Sequence, residues 1–272
     1  MSHLIFRSLP TSPLNNYVHV IHDSDAGVTV CVDPSDDPSI VERLKTWGWS
    51  VTHILVTHPH YDHIDGIAGL VDAFNCEVYG SRHDLGIIPK CDFGVMDGDV
   101  INIASMNFRV LGVPGHTRNH VAYYLESEDA LFSGDTLFSL GCGRLFCGTA
   151  AELWDSLKKI RDLPKQTKIY FSHEYTEDNA VFALSVDGDN VDLKDRAHDV
   201  HHLRSQGRAT VPSLLGEEIK CNPFLRCDVP ELQTAMGMAG KNGEEVFAEL
   251  RRQKDHFRPA PRQKSILRDI KR

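Results

Sequence analysis

The chain lacks any apolar run near the roughly 18–20 residues that span a bilayer, so no transmembrane helix is expected. Its start, Met1-Ser2-His3-Leu4-Ile5-Phe6-Arg7, has neither the long apolar middle nor the cleavage site of a signal peptide, and a cytoplasmic protein is expected. There is no C-x-x-C. The seven cysteines (31, 76, 91, 142, 147, 221, 227) are odd in number, which argues against a disulfide framework and suits a reducing compartment. Cys142 and Cys147 flank a Gly-rich loop and read as buried, inert thiols. No G-x-S-x-G is present, so no serine nucleophile elbow is expected. Basic residues are scarce: 29 Lys and Arg against 38 Asp and Glu give a net charge of −9, which argues against nucleic acid as a partner. Repeats and low-complexity segments are also missing. One exception to the acidic balance is the terminal run 251–272, with nine Lys/Arg against two acids.

What is present is an ordinary soluble composition, 41% hydrophobic and 25% charged, over 272 residues, enough for one large domain or two smaller ones. Residues 3–9 and 17–22 alternate and read as a hairpin, followed by strands at 28–32 and 53–56. Between these last two, Ile40, Val41, Leu44 and Trp47 share a helix face over 38–47, with Pro38 in the first turn and Gly48 after the end. A helix follows near 67–74, then strands near 77–79, 100–103, 107–111, 121–125 and 130–132, a helix at 152–161 and a strand at 168–171. From about 177 helical spacing dominates, over 177–186, 193–205 and 243–253. Runs of strands with helices between favour an α/β sandwich over a single doubly wound sheet. The expected division is a strand-rich domain over 1–176 and a mostly helical domain over 177–272. His198, His201 and His202 have helix spacing but read as a solvated or packed helix face.

The densest chemistry follows the strand at 53–56, in Thr57-His58-Pro59-His60-Tyr61-Asp62-His63-Ile64-Asp65-Gly66. Neutral imidazole and carboxylate suit zinc, iron or manganese. His58 and His60, two apart at a strand end, point the same way and can grip one ion. Asp62 and His63, past the bend, are free for a second. Three further candidates each end an apolar run: His116 in Val113-Pro114-Gly115-His116, Asp135 in Ser133-Gly134-Asp135, and His173 in Phe171-Ser172-His173. Loops at strand ends on one sheet edge can converge. The seven ligands divide into His58, His60 and His116 for one ion and Asp62, His63 and His173 for the other, with Asp135 bridging. Two divalent ions can share one hydroxide and bring its pKa towards neutrality, a nucleophile for an ester, thioester, amide or phosphoester.

The Thr57–His63 stretch resembles the T-H-x-H-x-D-H signature of the metallo-β-lactamase superfamily. Further segments resemble glyoxalase II, the hydroxyacylglutathione hydrolase branch. They are Gly141-Cys142-Gly143-Arg144-Leu145-Phe146-Cys147-Gly148-Thr149-Ala150, Ser172-His173-Glu174-Tyr175-Thr176, Thr210-Val211-Pro212-Ser213, Asn222-Pro223-Phe224-Leu225-Arg226 and Arg251-Arg252-Gln253-Lys254-Asp255. The resemblance spans about 14–258. It implies an α+β protein, an αββα sandwich with a mostly helical C-terminal domain, holding two divalent metal ions, zinc with iron or manganese as alternatives. It implies hydrolysis of S-D-lactoylglutathione and other S-2-hydroxyacylglutathiones to the 2-hydroxy acid and glutathione, the second step of methylglyoxal detoxification, by a monomer with no nucleic-acid or membrane partner. Asp62 and Asp135 take the catalytic roles with the bridging hydroxide. Arg251 and Lys254 hold the glycine carboxylate of glutathione, and Arg144, Phe146, His173 and Tyr175 line the peptide. Arg144 stands where the family often has Lys, and Phe146 where Tyr is common, which removes a hydroxyl contact. The rival readings are a mononuclear-iron glutathione persulfide dioxygenase and a non-catalytic metal- or glutathione-binding module.

Overall fold

A computed structural model describes residues 3–12 and 14–258. Residues 259–272, most of the expected basic run, lie outside the described residues. The chain begins with β1 (Leu4–Thr11), β2 (Asn16–Asp23), β3 (Val28–Val32), α1 (Ser39–Trp47), β4 (Val51–Leu55), the one-turn α2 (Tyr61–Ile64), α3 (Ile67–Phe74), β5 (Glu77–Ser81) and β6 (Phe93–Val95). It continues with β7 (Val100–Ile103), β8 (Met106–Gly112), β9 (Val121–Leu125), β10 (Ala130–Gly134), β11 (Leu137–Phe138), β12 (Gly141–Cys142), α4 (Ala150–Arg161) and β13 (Lys168–Phe171). After these come α5 (Thr176–Val186), α6 (Val191–Ser205), β14 (Ser213–Leu214), α7 (Leu215–Cys221), α8 (Pro230–Ala235) and α9 (Gly243–His256). Every strand and helix expected from the hydrophobic pattern is found. The ones the pattern did not announce, α2, β6, β11, β12, β14, α7 and α8, span two to seven residues, too short for a period to show.

Two compact units divide the chain, and they interleave. The first contains the described residues of Met1–Gly112, Asn119–Gly134 and Tyr170–His173. The second contains Val113–Arg118, Asp135–Ile169 and the described residues of Glu174–Arg272. One six-stranded sheet has the order β1-β2-β3-β4-β5-β6 and the other β14-β13-β10-β9-β8-β7. Strand β13 is shared: Lys168 and Ile169 pair with β14 in the second unit, and Tyr170 and Phe171 belong to the first.

In the first unit β1, β2 and β3 are antiparallel, whereas β3, β4, β5 and β6 run parallel. Parallel neighbours need crossovers, and α1 and α3 supply two of them. Val18 and Val20 of β2 share a buried cluster with Ile40 and Leu44 of α1 and Ile67 and Leu70 of α3. The alternate residues face the second sheet, where the His19 ring lies 5.8 Å from Phe132 and 5.5 Å from Tyr170. β2 is buried on both faces, and its polar His19 is tolerated there because both ring nitrogens are hydrogen-bonded. Tyr123 Oη ties the sheets by donating to the Val56 carbonyl at 2.7 Å. The C-terminal end of interior strand β4 therefore opens directly into the Thr57–Gly66 stretch.

In the second unit α5, α6 and α7 share a core that includes Ala180, Val181, Leu193, Ala197, Val200 and Cys221. Trp154 of α4 stacks on Phe247 of α9 at 5.9 Å, and Phe224 stands edge-on to Phe247 at 6.0 Å. Both Arg161 terminal nitrogens donate to the Asp228 carboxylate at 2.7 Å, a bidentate pair. His201 meets Glu177 at 3.1 Å, His198 meets Asp199 at 3.5 Å and His202 meets Gln206 Nε2 at 3.0 Å, so the α6 histidines form a packed, partly solvated helix face.

Candidate metal centre and substrate contacts

Of the seven expected ligands, His58, His60, Asp62, His63 and His173 belong to the first unit and His116 and Asp135 to the second. In the first unit the ligand atoms of Asp62, His63 and His173 all lie within 4.8 Å of one another, and all three residues are buried. Asp62 Oδ2 is 3.3 Å from His63 Nε2 and 3.5 Å from His173 Nε2. Nearby, His58 Nε2 is 3.0 Å from His60 Nδ1. Two ring nitrogens each ~2 Å from one ion sit ~3.3 Å apart in tetrahedral geometry, so this spacing fits a shared cation. In the second unit His116 Nε2 and Asp135 Oδ2 are 3.4 Å apart.

The opposite ring nitrogens show why these atoms point as they do. His63 Nδ1–H donates to Asp33 Oδ2 at 3.0 Å. His173 Nδ1–H donates to the Leu14 carbonyl at 3.1 Å, and His116 Nδ1–H to the Arg144 carbonyl at 2.7 Å. Thr57 Oγ1 spends its proton on Asp33 Oδ2 at 2.7 Å, so at 3.0 Å it accepts from His58 Nδ1–H. Each Nδ1 is thus committed as a donor, and each Nε2 lone pair is left for a metal. A set of buried imidazoles held in one tautomer, with carboxylates beside them, fits a divalent transition metal.

Asp33 is the residue the sequence reading missed. It sits just after β3 at φ 50° and is buried. Its carboxylate accepts from Thr57 N at 2.8 Å, Thr57 Oγ1, His63 Nδ1 and Ser172 Oγ at 3.4 Å. It thereby ties the ends of β4 and β13 to α2. Only the Asp33-Pro34 pair marked it in sequence, and that signal reads as a turn. His120, also missed, stacks on His58 with centroids 4.6 Å apart. Asp62 lies where burial alone would raise its carboxyl. When His63 is protonated its hydrogen bond and charge, with Asn16 Nδ2 and His173, outweigh that and hold it at about 2; with His63 neutral, Asn16 Nδ2 at 2.9 Å remains the donor.

The expected substrate residues have unequal freedom. Phe146 is 59% exposed and stands edge-on to the His116 ring at 5.2 Å. Arg144 is largely exposed, with Nε 3.3 Å from Asp255 Oδ1. Tyr175 precedes α5 and is edge-on to Phe138 at 6.1 Å. Lys254 Nζ donates to the Asp178 carbonyl at 3.1 Å over the face of Phe182. Its ammonium is pushed down to about 8 by burial, with the Arg251 charge adding and Asp178 opposing. Arg251, three residues before Lys254 on α9, is partnered within the chain. It is 4% exposed, with Nη1 donating to the Cys142 carbonyl at 3.1 Å and Nη2 to Asp255 Oδ1 at 2.9 Å. Burial raises the Cys142 thiol to about 11, which agrees with an inert sulfur, whereas Cys147, expected to be buried, is exposed. Among the described residues no helix is long and apolar enough to cross a membrane.

Known proteins share this arrangement. The family model for the metallo-beta-lactamase superfamily matches residues 29–173, and the model for the hydroxyacylglutathione hydrolase C-terminus matches 174–257. A hydroxyacylglutathione hydrolase of Methylococcus capsulatus is 46% identical over 244 residues, covering 90% of this chain and 95% of the relative. Among solved structures, ETHE1 from Myxococcus xanthus is similar with TM-score 0.68 and 26% identity, covering 94% of this chain and 93% of that one. TTHA1623 in a di-iron-bound form is similar with TM-score 0.59 and 26% identity, covering 80% of this chain and 100% of that one. With both family models in register, near-full-length identity of this order and buried imidazoles poised for metal, the chain belongs to the hydroxyacylglutathione hydrolases, metal-dependent thioester hydrolases of the metallo-β-lactamase superfamily.

Proposed function

We propose that the chain hydrolyses S-D-lactoylglutathione and related S-2-hydroxyacylglutathiones to the 2-hydroxy acid and glutathione, as a cytoplasmic monomer. The observation that carries this is the joint occurrence of the buried His/Asp ligand groups with a C-terminal segment matching the hydroxyacylglutathione hydrolase C-terminus. In this reading residues 1–176 form the metal domain and 177–272 the substrate-binding domain. His58, His60 and His116 would hold one divalent ion and Asp62, His63 and His173 a second, with Asp135 reaching both. A di-iron-bound relative supports two ions, with zinc, iron and manganese all compatible with these donors. When bound, the ions supply an activated hydroxide and neutralise charge developing on the carbonyl oxygen.

The chain's own groups do the rest. Asp62, ionised at neutral pH, holds acceptor oxygens where the attacking water's proton is directed. Asp33, Leu14 and Arg144 keep three imidazoles in the tautomer that leaves Nε2 without a proton. The leaving thiolate needs no strong acid, because a thiol pKa near ~8.5 already makes it a good leaving group. Lys254 and Arg144 attract the glutathione carboxylates, while Tyr175 and Phe146 flank the peptide. Arg251 joins them by exchanging its Asp255 partner for a substrate carboxylate. The Phe146 ring packs but offers no hydroxyl, so affinity rests more on charge.

Loss of thioester absorbance with S-D-lactoylglutathione tests the reading. Turnover that vanishes with chelator and returns with zinc, iron or manganese is expected. Metal-replete protein without hydrolase activity, but consuming oxygen with glutathione persulfide, would overturn it.

A further inference from the structure

The hairpin β11–β12 leaves few of its turn's polar backbone groups to strand pairing, which couples only Leu137 with Cys142 and Phe138 with Gly141. The others are taken by side chains from the helical part of the second unit. Glu218 of α7, fully buried, accepts from Ser139 Oγ at 2.7 Å with Oε1 and from Leu140 N at 2.8 Å with Oε2. Asn222, just after α7 and also fully buried, donates from Nδ2 to the carbonyls of Phe138 and Gly141 at 3.0 and 3.1 Å, and to Glu218 Oε2 at 3.0 Å. Asn179 Nδ2 takes the Ser139 carbonyl at 3.1 Å.

The base of the same hairpin carries one expected metal ligand and the hydrogen-bond partner of another. Asp135 enters it, and Arg144, whose carbonyl fixes the His116 tautomer, leaves it. The two ends are held together by Gly143 N donating to Thr136 O at 3.2 Å. They are so close that a Cβ on Gly143 would lie 1.9 Å from the Asp135 carbonyl oxygen and 3.0 Å from His116 Nδ1. A rotation of the turn is therefore passed to both ligands.

We propose that Glu218 and Asn222 are positioning residues for the metal centre: they lock the 135–144 hairpin so that His116 Nε2 and Asp135 Oδ2 face one ion. The C-terminal segment then shapes metal affinity as well as binding substrate. The inference rests on the reading of His116 and Asp135 as ligands. Buried polar groups bonded on every side specify one arrangement, whereas exposed Glu217 on the same helix contributes nothing to the hairpin.

The test uses full-length protein loaded with zinc and titrated with a competing chelator well below the unfolding temperature. Glu218→Gln and Asn222→Ala are expected to release one zinc per chain at roughly tenfold lower chelator, the size typical of lost outer partners. The second zinc should stay, kcat should fall and KM should change less than twofold. Ser139→Ala, which removes the hydroxyl's bond to Glu218 and the one it accepts from Arg196, should show the same loss in smaller measure with its fold intact, and Glu217→Gln should match wild type. Cobalt-substituted Asn222→Ala should show shifted visible bands. Wild-type zinc affinity in all three hairpin variants, even with lower thermal stability, would overturn the proposal and leave the pair a purely structural clamp. His116→Ala and Asp135→Ala give the separate check. Wild-type zinc content in both would refute the ligand reading itself, whereas loss in these two alone refutes only the positioning role.

Discussion

At the scale of single residues, two side chains do more than their neighbours in sequence suggest. Asp33 donates its own N–H to the Leu55 carbonyl of β4 at 3.1 Å, and its carboxylate gathers Thr57, His63 and Ser172. Asp33→Asn keeps the shape but offers an NH₂ where donors already point. Metal retention at the Asp62, His63 and His173 group should fall roughly 10- to 100-fold, read by chelator competition. Lys254, held down to about 8 by burial, loses its charge as pH rises through that value. KM for a glutathione thioester should therefore climb between about pH 7.5 and 9. Lys254→Arg, charged throughout this range, should give a KM that stays flat with pH. A wild-type KM independent of pH would remove Lys254 from substrate binding.

Elements show the same division between local and distant causes. Helix α4 is legible from the spacing of Leu153, Trp154, Leu157 and Ile160, and in the structure it starts with a capping box: Thr149 Oγ1 accepts from Glu152 N at 3.2 Å and Glu152 accepts from Thr149 N at 2.7 Å. Thr149→Ala should cost about 1 kcal/mol of unfolding free energy, measured by denaturant titration with the m-value unchanged. Helices α1, α5, α6 and α9 were likewise visible from spacing, and so were the strands whose ends carry ligands. Hairpin β11–β12 was not, since two-residue strands carry no period and side chains 40 to 84 residues away hold its turn.

For the whole molecule, stability has an acid-sensitive component at the centre of the first unit. His19 lies between the two sheets, accepts from Ser8 at Nδ1 and donates from Nε2 to the Phe171 carbonyl at 3.1 Å. Burial lowers its pKa from 6.5 to about 4, although the Phe171 bond and Asp33 oppose this. The unfolded chain therefore binds the extra proton between these values. Stability should fall as pH drops from about 6.5 to about 4 and lose nothing further from this group below that. The loss is on the order of 3 kcal/mol. Urea unfolding of metal-free protein across this range should show the slope, and His19→Gln should flatten it.

By itself the sequence determined the period of each long element and placed six of the seven proposed ligands in short polar stretches just past apolar strands, with Asp135 at such a strand's end. Those signals are local: alternation, helix spacing and a dense His/Asp run need no partner to be read. Tertiary structure alone decided that Asp33 orients His63, that the Leu14 and Arg144 carbonyls select imidazole tautomers, and that Arg251 is buried against Cys142 rather than free. A hydrogen bond between residues far apart in the chain leaves no mark on the residues around either one, so only the folded arrangement reveals it.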